Sequence, residues 1–369
     1  MAEGRAKPRL VSDPEVADGQ WFTEVLQYAG VLGDAAVTGV QRQQVGTGGL
    51  IGQNVAFSLT YDGPAPDAPA SAVGKFPSPE PQRRATAKTF RLYEREVRFY
   101  QEIAATVDIR IPVCYLADID LDTGDFVLLL EDLRPAVQGN QLDGCSLDEA
   151  MLAMDELAGL HAPRWGDPTL ANIEWLGQYD DVEPNEMIRS LYQGLWPAFV
   201  AQFASTLTPG ALALGEAFGA SMDVWRRSWT PPYCVTHGDY RLDNMLFGTR
   251  QGGYPLTTVD WQTVGHGPGI MDAAYFIGNG LRVSDRRAHE IDLLRRYHDA
   301  LCVRGVNGYE WKQCLADYRR ATLSGLLMTV IASQVVASDE RGVAMFAAMA
   351  ERHFAHAIDH EAGDTLTRA

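Results

Sequence analysis

Near the N-terminus, Trp21, Phe22, Val25, Leu26, Ala29 and Leu32 recur at helical spacing, so residues 1–45 read as helical and otherwise polar. The texture then changes. VGTGGLIGQ (45–53) is glycine-rich and NVAFSLTY (54–61) alternates as a strand does. DGPAPDAPA (62–70) is a turn or loop, and SAVGKF (71–76) is a short strand stopped by Pro77, Pro79 and Pro81. Residues 85–107 predict one long amphipathic helix, with Phe90, Tyr93, Val97, Tyr100, Ile103 and Ala104 on its apolar face. IPVCYLADID and DFVLLLEDL form a strand pair joined by the turn LDTG. From about Ser146 the pattern is helical, apart from a β-rich stretch at 233–261, and no fixed-period repeat interrupts it.

The chain has 369 residues, enough for two domains or one large two-part unit. It carries 48 acidic and 31 basic side chains, a net charge of −17, and neither half holds a basic surplus. Phosphate contacts need excess Lys and Arg, so nucleic acid is excluded as a partner. Five cysteines without a CxxC pair point to a reducing cytoplasm rather than a disulfide framework. No apolar run follows the first charged residues, so no signal peptide is expected. The uncharged stretch 321–338 contains Ser324, Thr329, Ser333 and Gln334. It reads as a buried helix, not a membrane span.

The sharpest chemical signal is HGDYRLDN at 237–244, followed by VDWQ at 259–262. Phosphoryl transfer needs a carboxylate near the attacking hydroxyl, oxygen ligands for Mg2+ and a cover over the phosphates. Asp239 and Asn244 are five residues apart in one tight loop, and Asp260 follows Asn244 by sixteen. Two short strands and a turn would bring Asn244 beside Asp260, and an amide oxygen plus a carboxylate suits Mg2+. An HGD tripeptide can also be an ordinary turn, since Asp and Asn favour turns on local grounds.

The spaced pattern HGDxxxxN followed by a strand-borne Asp resembles the aminoglycoside phosphotransferase and choline kinase-like family, small-molecule relatives of protein kinases that include an ecdysteroid-kinase-like branch. The resemblance implies an α+β, protein-kinase-like two-lobed fold: a small antiparallel-sheet N-lobe at 1–133 and a large, mainly helical C-lobe at 134–369. It implies ATP and Mg2+ as cofactors and a hydroxylated small molecule as substrate. Asp239 becomes the catalytic base, Asn244 and Asp260 the Mg2+ ligands, His237 a brace for the loop, and GIMD (269–272) a supporting segment.

The upstream parts follow the same order. Gly46, Gly48, Gly49 and Gly52 would let backbone N–H groups approach the phosphates, although a hairpin loop fits them as well. Lys75 would pair the phosphates, with Glu96, or else Glu94, holding it; an edge-strand lysine and a solvated helix face are the plain alternatives. Backbone groups of Glu131, Asp132 and Leu133, after the apolar strand, would hold adenine.

The acceptor is less legible. Trp165, Trp175, Trp196, Trp225 and Trp229 could enclose an apolar hydroxylated acceptor or simply pack a core. Asp180, Asp181, Glu183 and Glu186, or Asp148, Glu149, Asp155 and Glu156, could meet a cationic sugar such as an aminoglycoside, or could be solvated faces and caps. His353, His356 and His360 fall at helical spacing without a carboxylate pattern, so a solvated C-terminal helix is expected; His266 reads as a loop residue without a role. The rival functions are a kinase-fold binding protein without catalysis and a protein kinase. The second is disfavoured by HGD in place of an H-R-D loop.

Overall fold

The computed structural model describes residues 5–45, 51–179, 181–335 and 339–366, with all their side chains except those of Glu183 and Pro184. The chain divides into two compact units. The first comprises Met1–Ala105, Ile111–Arg134 and Asp260–Thr263; the second comprises Thr106–Arg110, Pro135–Val259 and Val264–Ala369.

The first unit is built on one antiparallel sheet. Its strands are β1 (Val37–Gln44), β2 (Gly52–Tyr61), β3 (Ser71–Pro77), β4 (Cys114–Ile119) and β5 (Phe126–Glu131), in the spatial order β1-β2-β3-β5-β4. Alternation along β5 assigns its two faces. Val127 and Leu129 join Phe57, Ala72 and Phe76 in a core against α1 (Gly19–Tyr28), whose Trp21, Phe22, Val25 and Leu26 are buried. Phe126, Leu128 and Leu130 pack on the other face with Tyr93 and Val97 of α3 (Leu92–Arg98). Asp18 caps α1 by accepting from Trp21 N–H at 2.9 Å.

Two expectations fail in this unit. Residues 37–44 are a strand rather than a helix, because VTGVQRQQ pairs with β2 at the sheet edge and leaves most of its side chains outside the core. The long helix expected at 85–107 is broken. α2 (Pro81–Thr89) ends, Arg91 takes φ 54°, and α3 runs on into a single π turn at Phe99–Ile103.

The second unit is mainly helical: α4 (Leu147–His161), α5 (Val182–Phe203), α6 (Pro209–Arg227), α7 (Ile270–Gly280), α8 (Val283–Val303), α9 (Trp311–Ala321), α10 (Leu323–Val335) and α11 (Glu340–Asp359). α4 packs on α8, α5 on α6 and α10, and α7 on α9, α10 and α11. Short strands β6 (Val137–Gln138), β9 (Met245–Thr249) and β10 (Gly252–Thr258) form one small sheet. Strands β7 (Gly177–Gln178), β8 (Cys234–Thr236) and β11 (Gly265–Gly267) form another. Among the described residues, no helix is long and apolar enough to cross a membrane, and α10 is largely buried.

The C-terminal histidines correct the sequence reading. His353 and His356 are fully buried on α11. The missing carboxylate partner is Glu290 of α8, whose Oε2 lies 3.1 Å from His360 Nε2 and 3.6 Å from His356 Nε2. Burial pushes the His353 imidazole down to about 3 and His356 well below the usual value. His266 is likewise no loop residue; it sits in β11 with Nδ1 2.6 Å from Gln178 Oε1.

Candidate active site

Strand alternation explains where Lys75 points. Ala72 and Phe76 of β3 face α1, so Lys75, opposite Leu128, faces α3. β3 is an interior strand, which removes the edge-lysine alternative. The Lys75 ammonium donates to Glu96 Oε1 at 2.5 Å and to Asp260 Oδ1 at 3.2 Å. Glu96 is 3% exposed and also accepts from Trp261 N–H at 3.4 Å. Glu94 pairs instead with Arg91 and Arg98. Burial opposes the Lys75 charge, but the carboxylates of Asp260 and Glu96 outweigh it and raise its pKa. Burial raises the Glu96 carboxyl against the pull of Lys75. Asp260 takes φ 69°, a left-handed conformation that Asp tolerates better than most residues, and Gln262 Nε2 donates to its Oδ2 at 3.0 Å. Next to it, Trp261 stacks on Phe99 with ring centroids 3.8 Å apart.

The second unit holds the loop 237–244. Gly238 has φ 81°, which glycine adopts without strain and which turns the chain sharply after β8. Asp272 of α7 accepts from His237 N–H at 2.6 Å and from Gly238 N–H at 2.9 Å. Its Oδ2 also lies 3.3 Å from His161 Nε2. His237 Nδ1 accepts from Asp239 N–H at 3.2 Å, so the ring proton sits on Nε2 and is donated to the Val259 carbonyl at 3.1 Å. The loop closes in a 3-10 turn at Leu242–Asn244.

Asp239 is held from three sides. Arg241 Nε and Asn244 Nδ2 each donate to its Oδ2 at 3.0 Å, and the Tyr275 hydroxyl donates to its Oδ1 at 3.0 Å. Asn244 Nδ2 donates also to the Asp239 carbonyl at 2.9 Å, which fixes the amide so that its oxygen faces away from these partners. The hairpin of β9 and β10 returns the chain to Asn244, whose carbonyl accepts from Val259 N–H at 3.0 Å. Asp260 is the next residue in the chain.

Gln141 braces the loop from behind. Its N–H donates to Asp243 Oδ1 at 3.1 Å, and its Oε1 accepts from Leu242 N–H at 3.1 Å. Its Nε2 reaches the side chain and the carbonyl of Asn279. Gln141, Arg241, Asp272 and Tyr275 therefore shape the loop. The GIMD segment signalled Asp272, and Arg241 stands inside the HGDYRLDN motif two residues from Asp239, whereas Gln141 and Tyr275 left no signal because they act across 101 and 36 residues.

The remaining expected residues belong to other segments of the chain. Gly46, Gly48 and Gly49 lie outside the described residues. Gly52 begins β2, where a Cβ would come within 2.8 Å of the Phe76 carbonyl oxygen, so close strand packing alone accounts for glycine there. Glu131 ends β5, and its N–H donates to the Val113 carbonyl at 2.8 Å. The Asp132 carboxylate is taken by Arg134, while Leu133 is half-buried. Trp175, Trp225 and Trp229 are buried among core residues, whereas Trp165 and Trp196 are half-buried. Of the acidic groups, Glu149 closes a capping box with Ser146, Asp155 pairs with Arg296, and Glu156 accepts from Arg110 N–H.

The model of the phosphotransferase enzyme family matches residues 68–313. No curated protein matches the chain. Among solved structures, a choline kinase from Cryptosporidium parvum Iowa II is 8% identical with a TM-score of 0.55, covering 87% of this chain and 89% of that one. LicA in complex with AMP is 14% identical with a TM-score of 0.50, covering 92% of this chain and 97% of that one. At these identities the likeness establishes the fold, which is kinase-like and α+β.

Proposed function

Because the chain belongs to the phosphotransferase enzyme family, we propose that it transfers the γ-phosphoryl group of ATP to a hydroxyl of a small molecule. The observation that carries this reading is the state of Asp239: a carboxylate on a rigid loop, still 20% exposed, held by Arg241, Asn244 and Tyr275. Such a group can orient an acceptor hydroxyl and take its proton late in the transfer. Lys75, kept cationic by Glu96 and Asp260, supplies positive charge for the phosphates.

Asn244 and Asp260 are the residues we assign to Mg2+. Asn244 fits, since its amide nitrogen is spent on Asp239 and its oxygen is left to bind a hard cation. When bound, Mg2+ would neutralise charge on the phosphate oxygens. Backbone groups at Glu131, Asp132 and Leu133 are assigned to adenine, and Gly46, Gly48, Gly49 and Gly52 to the phosphates. The five cysteines stand unpaired, which supports the cytoplasm as the compartment.

The acceptor is either an aminoglycoside or a more apolar hydroxylated metabolite. The burial of Trp175, Trp225 and Trp229 in the core weakens the aromatic argument for the second. The test is a panel of aminoglycosides, amino alcohols, sugars, macrolides and sterols incubated with Mg·ATP and read by mass. A gain of one phosphoryl group on an alcohol is expected. No transfer to any compound, combined with no binding of Mg·ATP, would leave a silent kinase-fold protein; phosphorylation of generic peptides alone would leave a protein kinase.

A further inference from the structure

Asp239 offers two oxygens, and the described residues use them unequally. Oδ2 accepts two hydrogen bonds, from Arg241 Nε and Asn244 Nδ2. Oδ1 accepts one, from the Tyr275 hydroxyl. A carboxylate oxygen has room for two donors, so Oδ2 is filled and Oδ1 keeps one place. Tyr275 is itself fixed. It is 4% exposed on α7, and its ring stacks on His353 of α11 with centroids 5.0 Å apart and planes 17° apart. His353 is held through Nε2, 2.8 Å from Asn279 Nδ2. The Asn279 oxygen accepts from Gln141, so its nitrogen donates to His353. Burial first, and then the Asp239 charge, keep the phenol protonated and able only to donate to Asp239.

We propose that Tyr275 is a positioning residue that shares Asp239 Oδ1 with the acceptor hydroxyl, so that the acceptor docks on that one oxygen beside the phenol. The inference rests on Asp239 being the base. In the step itself, the acceptor oxygen bonds to the γ-phosphorus and the bond to the bridging oxygen of ADP breaks, its electron pair leaving with ADP. The acceptor proton passes to Oδ1. The phenol holds the carboxylate plane still and limits the direction from which a hydroxyl can approach.

The test uses the full chain with Mg·ATP and water as the acceptor, followed as released phosphate. Tyr275→Phe keeps the ring stack and removes one oxygen. It should lower kcat about tenfold, with the KM for ATP and the melting temperature little changed. In an Asp239→Glu background, where the carboxylate has moved, the same change should add no further loss. His353→Leu, which removes the stack and leaves the phenol in place, should lower kcat in the same direction by about threefold, again with no further loss in the Asp239→Glu background. It serves as the readout if Tyr275→Phe fails to fold. An unchanged kcat, or an equal loss in both backgrounds, overturns the inference. Asp239→Asn separates the two levels: if it retains full turnover the base assignment falls, whereas a dead Asp239→Asn beside a normal Tyr275→Phe sinks only the role of Tyr275.

Discussion

The two units hold their chemistry in place by different means. In the first, Lys75, Glu96 and Asp260 come from a strand, a helix and a distant segment, and opposite charges bind them. In the second, the loop 237–244 is fixed chiefly through its own backbone. Asp272 receives two successive N–H groups, and Gln141 and Val259 hold the far end. Charge can position a mobile group such as an ammonium. Only a dense set of directional bonds can hold a loop of eight residues in one shape.

The largest expected effect separates chemistry from placement. Asp239→Asn keeps the loop and should lower phosphoryl transfer by about three orders of magnitude, with Mg·ATP binding unchanged in calorimetry. In the charge-held cluster, Lys75→Met leaves Glu96 buried without its partner. It should cost about 3–5 kcal/mol in denaturant unfolding, more than Glu96→Ala, which leaves Lys75 beside Asp260. In the backbone-held loop, Asp272→Asn gives up acceptor capacity for the His237 and Gly238 amides and should cost about 1–3 kcal/mol. Equal losses for Lys75→Met and Asp272→Asn would erase the contrast.

Acid adds a graded test confined to the second unit. His353 has its pKa lowered from 6.5 to about 3 in the folded chain. Below about pH 6.5 the unfolded chain therefore binds more protons, and stability falls as pH falls towards about 3. Between about pH 7.5 and 5 this amounts to about 2 kcal/mol, with His356 acting in the same direction. His353→Gln should flatten that slope in thermal melts. The smallest effect is expected at the exposed Arg296–Asp155 pair, where Arg296→Ala should change stability by less than about 1 kcal/mol.

What could be read from the sequence follows the range of the forces involved. Strand alternation in β2 and β3, the apolar run of β5, the hairpin of β9 and β10, and the spacing of Asp239 and Asn244 are local, and they are visible in single stretches of chain. The helix break at Arg91 left no mark, since no glycine signals it and the apolar period runs straight through. β1 was hidden because an edge strand with few buried residues shows no alternation. The burial of His356 depends on Glu290 and Tyr318, partners 66 and 38 residues away, and Tyr275 meets Asp239 across 36. No window of ordinary length contains such pairs.

The two amides donated to Asp272 carry one more consequence. A loop tied down this way is ordered during folding, so arrival of the nucleotide need not freeze it, and that share of conformational entropy is settled beforehand. The His237 and Gly238 amides should then exchange with deuterium as slowly in the free protein as in the nucleotide complex, opening only when α7 itself opens.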